Sequence, residues 1–407
     1  MKCRMCEGER LFEFLDLGSM PPADEFRTAG QLREPDTYFP LQVLMCEDCG
    51  LAQLGYAVPP EILYQNDYPY ESSTTAFGRA HWASFAESVV TELELEPEQL
   101  VVDIGSNVGV LLEAFKDNGM RVHGVDPAPN IVEKAVARGI DTICAFFGLE
   151  AAQAIVEAKG RASVITGTNV FAHVDDLVSF ARAVDVLLAD EGALIIEAPY
   201  FANLVSDTQY DTIYHEHLSY ISVRPVVEFF QRFDMEVFDV QPMEIHGGSL
   251  RIFVGRTGRY QVSSEVARLV ARERDTGLHS RESLTTFSEA VQQNRRDLLT
   301  LLHGLRAEGK TVVGVSAPAK GMTLLNYCGL GKQVLDFVTE KSPLKIGRFT
   351  PGGHIPIVTD EELLTVQPDY ALLLAWNFAD EIMENLADYR SRGGRFVIPI
   401  PTPRVVD

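Results

Sequence analysis

From residue 100 onward, short apolar runs alternate with amphipathic ones. LVVDI (100–104), RVHGVD (121–126), ASVITG (162–167) and GALIIEAP (192–199) predict strands. GVLLEAFKDNG (109–119) and NIVEKAVARG (130–139) predict helices, each ending on a glycine. This alternation predicts a doubly wound α/β domain, with its ligand crevice at the carboxyl ends of the strands. EVFDVQPMEIHGGSLRIFVGR (236–256) predicts two antiparallel strands around a Gly-Gly corner. Residues 262–307 lack a strand pattern and predict helices with charged faces. At 311 a second strand–turn–helix opens, TVVGVSAPAKGMTLLNYCG, and DFVTE (336–340), DYALLLAW (369–376) and RFVIPIP (395–401) predict the strands that follow. Upstream, FGRAHWASFAESVVTELEL (77–95) predicts a helix, and residues 1–60 read as short strands and turns.

These patterns divide the chain into an N-terminal module (1–65), a central Rossmann-like domain (66–260), a helical linker (261–307) and a smaller C-terminal Rossmann-like domain (308–407). The fold class is α/β. The formal net charge of −23 excludes a general nucleic-acid binder, because phosphate neutralisation dominates that affinity, but leaves room for one anion in a local basic pocket. No apolar run approaches the eighteen or so residues of a membrane span, and the N-terminus has no signal-peptide core. A cytoplasmic protein without membrane contact is expected. The oligomeric state stays open, a monomer included.

Four of the six cysteines form two Cys-x-x-Cys pairs, Cys3/Cys6 and Cys46/Cys49. Thiolates on two such turns can close a tetrahedral zinc site, and two disulfides are the alternative. Gly105-Ser106-Asn107-Val108-Gly109 follows one strand and opens a helix, and Asp126 ends the next strand. An acidic residue there serves the ribose of NAD or of S-adenosylmethionine. The loop Asp103-x-Gly105-x-x-x-Gly109 has one glycine fewer than the pyrophosphate fingerprint, which favours S-adenosylmethionine over NAD or an empty turn. Asn169 and His173, in ITGTNVFAHVDD (165–176), fall at a strand end where they could line the adenine or methyl region; a core or capping role for His173 is equally open. Tyr214-His215-Glu216-His217-Leu218-Ser219-Tyr220 gathers titratable side chains suited to proton abstraction, with a second metal site or a structural network as alternatives. Tyr68 and Tyr70 in YPYESS are further candidates. Lys320, Lys341, Lys345, Arg348 and His354 are cations near strand ends that could grip a diphosphate.

Together these motifs resemble the three-domain sugar C-methyltransferases, which act on nucleotide-linked 4-keto-deoxysugars in branched antibiotic-sugar biosynthesis. The resemblance covers nearly the whole chain. It rests on the paired Cys-x-x-Cys, LDLGSMPPADEF, YPYESS, DIGSNVG, NVFAHVDD, YHEHLSYIS, HGGSLRIFV, APAKGMTLLNYCG, TPGGHIPI and LLLAWNFADEI. It implies an N-terminal zinc-binding domain, with the zinc structural on Cys3, Cys6, Cys46 and Cys49, a central S-adenosylmethionine domain, in which Asp103, Gly105, Ser106, Asn107, Gly109, Asp126, Asn169 and His173 are the candidate donor-site residues, and a C-terminal Rossmann-like domain that helps to hold the nucleotide sugar. It implies His217 as base, with Glu216, Tyr214 and Tyr68 or Tyr70 around the sugar's keto group. Lys320, Lys345, Arg348 and His246 fall on the nucleotide-sugar side. Two positions depart from the family pattern: Val108 where an Asp is usual, and Ser316 where a Gly is usual. The expected reaction is C-methylation at C-3 of a nucleotide-linked, dTDP-type 4-ketosugar. O- or N-methylation of another metabolite, or zinc and nucleotide-sugar binding without catalysis, are the alternatives.

Overall fold

A computed structural model describes residues 1–65, 69, 72, 76–245 and 247–407. Tyr68, Tyr70 and His246 lie outside the described residues.

The N-terminal strands are β1 (Leu11–Met20), β2 (Phe39–Cys46) and β3 (Ala52–Leu54). Alternation along β2 buries Leu41, Val43 and Met45 on one face, as a sheet with one face on the core requires. Helices α1 (Pro60–Tyr64) and α2 (Ala76–Glu92) lead into the central domain. There β4 (Leu100–Ile104), α3 (Val110–Asp117), β5 (Arg121–Asp126), α4 (Pro129–Ala137), β6 (Thr142–Cys144), α5 (Leu149–Lys159), β7 (Ala162–Thr168), α6 (Leu177–Leu187) and β8 (Leu188–Pro199) alternate. All five residues of β4 are buried, as expected for a strand covered by helices on both faces.

After α7 (Phe201–Ser206), a one-turn helix (Tyr210–Thr212) and β9 (Ser219–Tyr220) bracket the histidine-rich segment. Helix α8 (Val223–Gln231) then leads to β10 (Met235–Met243) and β11 (Ser249–Arg256), which pair antiparallel as the sequence pattern predicts. Helices α9 (Ser264–Asp275) and α10 (Arg281–Ala307) occupy the stretch expected to be a helical linker. Their faces are not all solvated: α10 buries Leu284, Phe287, Val291, Leu298 and Leu302 in a core shared with β1 and the C-terminal sheet.

The C-terminal domain follows as β12 (Val312–Val315), α11 (Ala319–Cys328), β13 (Val338–Thr339), β14 (Ile357–Val358), β15 (Tyr370–Leu373), β16 (Arg395–Ile398) and β17 (Arg404–Val406). Among the described residues the three sheets run β1-β2-β3-β9, β10-β11-β8-β7-β4-β5-β6 and β14-β13-β12-β15-β16-β17. The second and third each reverse strand order, between β4 and β7 and between β12 and β15, which opens a crevice at the carboxyl ends. The first sheet takes its last strand from the middle of the chain: Ala52 pairs with Tyr220 and Gln53 with Ser219. That pairing welds the cysteine module to the residues just after His217.

The two departures have different structural meanings. Val108 is buried against α2 and α3, in the core of Trp82, Phe85 and Phe115, so it turns away from the crevice. Ser316 has φ of 67°, the left-handed region that glycine enters without a Cβ penalty.

Candidate active site

The Cys-x-x-Cys turns bring four sulfurs within 4.8 Å of one another. Cys3 and Cys49 lie 3.5 Å apart, as do Cys6 and Cys46. A disulfide needs about 2.05 Å. Sulfurs about 2.3 Å from a tetrahedral zinc lie about 3.8 Å from each other, so the cluster fits zinc and not two disulfides. The electrostatics agree. Cys3 is pulled down to about 5 by its hydrogen bond with Cys49, while burial pushes Cys6 up to about 11 and the bond to Cys3 pushes Cys49 up further.

The crevice of the central sheet holds the cofactor candidates. Gly105 has φ of 65°, and a Cβ there would stand 2.4 Å from Val170; one on Gly109 (φ 81°) would stand 2.9 Å from Ile140. Both positions require glycine on conformation and space alike. Between them, the Asn107 N–H donates to Asp126 Oδ2 at 2.9 Å, and the Ala128 N–H to Asp126 Oδ1 at 2.9 Å. These bonds fix the carboxylate at the end of β5 and partly offset the burial that raises its pKa. Each oxygen keeps a lone pair for a diol. Asp103, 2% exposed, accepts a 2.6 Å bond from Thr166 Oγ1, and burial raises it to about 7. Buried Ser106 Oγ has no protein partner among the described residues. Asn169 has φ of 57° and donates its N–H to the Glu197 carbonyl at 2.7 Å, across the β7/β8 strand ends.

His217 sits beside this crevice. Its Nδ1 lies 2.7 Å from the Thr212 carbonyl. A carbonyl only accepts, so Nδ1 carries the hydrogen and Nε2 carries the lone pair. The ring stands 3.9 Å, centroid to centroid, from Tyr214 and 5.0 Å from His173. His173 Nδ1 is 3.2 Å from the Tyr64 hydroxyl, and burial together with His217 keeps its pKa well below the usual histidine value. Tyr64 is the residue the sequence reading passed over. Burial, and after it the charges of Glu216, Asp24 and Asp126, hold its phenol protonated. Its signal was present: a tyrosine ending a short helix just before YPYESS. Glu216 is buried with His217. His215 does not join them. Its Nε2 meets the Phe39 carbonyl at 3.2 Å and its ring packs on Phe39, facing β2.

Beneath this group lie buried charges. Glu197 Oε1 meets His81 Nε2 at 2.8 Å, and its Oε2 accepts from Arg251 at 2.9 and 3.1 Å. Arg4, inside the first Cys-x-x-Cys turn, donates to the Leu54 carbonyl at 2.8 Å, to that of Leu218 at 3.4 Å and to Asp175 at 2.8 Å. The knuckle thus touches the residue after His217.

The C-terminal cations have different partners. Lys345 is buried, with Nζ on the Ala317 carbonyl at 2.8 Å and 3.7 Å from Asp24. Arg348 stands on the same loop, its N–H on the Lys345 carbonyl at 3.1 Å. His354 Nε2 pairs with Asp36 at 2.7 Å, and Lys341 is exposed. Lys320 turns elsewhere: it bonds Asn377 and lies 4.7 Å over the Trp376 ring.

Among the described residues no helix is long and apolar enough to cross a membrane. Three family models match in tandem: a zinc binding domain over residues 3–64, a methyltransferase domain over 78–240 and a C-methyltransferase C-terminal domain over 244–401. C-methyltransferase NovU of Streptomyces niveus is 36% identical over 406 residues, covering 100% of this chain and 96% of that protein. A ubiquinone biosynthesis O-methyltransferase of Methylobacterium sp. (strain 4-46) is 34% identical over 93 residues, 22% of this chain and 37% of that protein. The solved magnesium protoporphyrin IX methyltransferase of Synechocystis PCC 6803 with bound SAM aligns at 15% identity and TM-score 0.34, over 44% of this chain and 82% of that one. Matched from end to end by one relative and by three domain models in order, the chain belongs to the C-methyltransferase family, as an S-adenosylmethionine-dependent methyltransferase with a zinc-binding module.

Proposed function

We propose that the methyl acceptor is C-3 of a nucleotide-linked 4-keto-deoxysugar, of dTDP type, and that His217 is the base. The observation that carries this reading is the 2.7 Å contact of His217 Nδ1 with a backbone carbonyl, which in the neutral ring puts the lone pair on Nε2, with the ring against Tyr214. A C–H bond next to a ketone becomes acidic enough for an imidazole once the enolate oxygen is stabilised. His217 Nε2 takes the C-3 proton, and the bonding pair moves into the C-3/C-4 enolate. Tyr214, with Tyr68 or Tyr70, donates to the C-4 oxygen, each donor contributing on the order of 3 kcal/mol. The enolate carbon then bonds the methyl group. S-adenosylmethionine supplies that methyl as a sulfonium, which leaves as a neutral thioether. Glu216, buried in the same segment, stabilises the imidazolium so formed by its charge, and solvent removes the proton.

On the donor side, Asp126 is proposed for the ribose hydroxyls, Asp103 for the cationic amino-acid end, Gly105 to Gly109 for close backbone approach, and Asn169 and His173 for the region between. On the acceptor side, Lys345, Arg348 and His246 are proposed for the nucleotide; Lys320 is assigned with the turn that supports the base. The four cysteines hold zinc as a crosslink without an open position. Catalysis in the cytoplasm, without nucleic acid or membrane, belongs to this reading.

Incubation with a panel of nucleotide 4-ketosugars and labelled donor tests it. Mass spectrometry and NMR of the product should place the label on C-3. Label on an oxygen, or no ketosugar consumed across the panel, would falsify the reading.

A further inference from the structure

The Thr212 carbonyl that orients His217 belongs to a one-turn helix that could not hold its position unaided. Tyr210, Asp211 and Thr212 are all buried, and the turn is pinned on two sides. Tyr210 donates its hydroxyl to Asn294 Oδ1 of α10 at 2.8 Å, and Asn294 Nδ2 in turn bonds the carbonyls of Pro399 and Pro401 at 2.8 Å each. On the other side, Trp376 Nε1–H donates to Asp211 Oδ2 at 2.6 Å. Trp376 follows β15, at the carboxyl end of the third sheet, where the strand order reverses. Lys320, near the start of α11, caps the indole face at 4.7 Å. Asp211 and Lys320 feel each other's charge: burial pushes the carboxyl up and the amine down to about 8, and each partner opposes the other's shift. Backbone N–H groups of Asp211 and Thr212 also stabilise the carboxylate, and the indole N–H is the bond that ties it to the C-terminal domain.

We propose that Trp376 and Asp211 are positioning residues for His217: the C-terminal domain, through the indole N–H, holds the turn whose Thr212 carbonyl sets the tautomer and aim of the imidazole. Neither residue touches the reacting atoms. Lys320 supports the indole from its other face. The consequence is that proton abstraction needs the C-terminal sheet docked on the central domain, whatever that sheet does for the nucleotide. The inference rests on His217 being the base.

The test compares Trp376→Phe, which deletes the N–H and keeps the ring, with Asp211→Asn, which keeps an acceptor and drops the charge. The probe reaction is hydrogen–deuterium exchange at C-3 of a dTDP-4-keto-6-deoxysugar in heavy water. Trp376→Phe should slow exchange at saturating sugar by roughly 10-fold to 100-fold, the range of a mis-aimed catalytic group. Its KM and its S-adenosylmethionine affinity should stay near wild type. The Nδ1–H bond to Thr212 stabilises the imidazolium, so the acid limb of the pH–rate profile should also move to lower pH. A defect that is only structural would lower the amplitude and leave the limb in place. Asp211→Asn should keep most of the rate.

Histidine-selective ¹⁵N NMR gives a readout without turnover. The ring signal missing from His217→Asn is that of His217; it should show Nδ1–H in the wild type and a mixture of tautomers in Trp376→Phe. An unchanged rate and limb in Trp376→Phe, or an equal loss in Asp211→Asn, overturns the positioning role. If Trp376→Phe does not fold, the wild-type tautomer and Asp211→Asn decide, and an Nε2–H ring in the wild type overturns it. The base assignment fails separately, by normal exchange in His217→Asn.

Discussion

Asp103→Asn should remove most of the pH dependence of donor binding. In the wild type, Asp103 sits at the end of β4 with 2% of its surface exposed and Thr166 Oγ1 donating to it. Burial, with a smaller push from the charge of Asp126, raises its pKa to about 7. S-adenosylmethionine brings an ammonium and a sulfonium. A cation beside this carboxyl favours the ionised form, so binding should return the pKa toward the ordinary value of about 3.9 and expel a proton. A shift of roughly three units corresponds to roughly 4 kcal/mol of linkage. The affinity should rise about 100-fold from pH 5 to pH 8 and level off above 7. The sign for stability follows from the same shift. A carboxyl with a raised folded-state pKa contributes stability that is complete below about 4 and is lost as pH rises through about 7. The donor-free protein should therefore melt at progressively lower temperature from pH 5 to pH 8, and Asp103→Asn should not share that slope. Calorimetry in two buffers of different ionisation enthalpy reads the released proton directly. A wild-type affinity that is flat from pH 5 to pH 8, with no proton released, refutes the linkage.

Three further outcomes are expected. Cys46→Ser should lower zinc from one per chain by elemental analysis; because Arg4 and the β3/β9 pairing tie the module to Leu218 and Tyr220, it should also abolish C-3 exchange. Glu197→Gln leaves buried Arg251 without its charge partner, so urea unfolding should show a loss of about 3–5 kcal/mol. Ser316→Gly trades left-handed strain of about 1–2 kcal/mol against an entropy cost of about 0.5–1 kcal/mol, so its Tm should hold or rise, while β-branched Ser316→Val should lower it.

Much of this architecture is legible in the sequence because local chemistry dictates it. The alternating apolar runs mark β4, β5, β7 and β8, and the glycines at 105 and 109 mark the two positions of the turn where a Cβ does not fit. The Cys-x-x-Cys pairs mark their own cluster. What stays hidden depends on distant contacts. Trp376 and Asp211 are 165 residues apart, and no pattern near either announces the bond. His215 and His217 look alike in YHEHLSY, yet the first ring packs on Phe39 while the second bonds the Thr212 carbonyl beside the crevice. Helix α10 looks like a polar connector because its apolar positions are widely spaced; only its long burial against β1 and the C-terminal sheet shows that they are core.

The account turns on His217 Nε2 removing the C-3 proton. Exchange of that hydrogen into heavy water, followed by NMR on a dTDP-4-keto-6-deoxysugar with His217→Asn protein, measures the step without methyl transfer. Loss of exchange with unchanged S-adenosylmethionine affinity is the predicted result. Exchange at the wild-type rate would contradict the account and send the search for the base to other groups of the site.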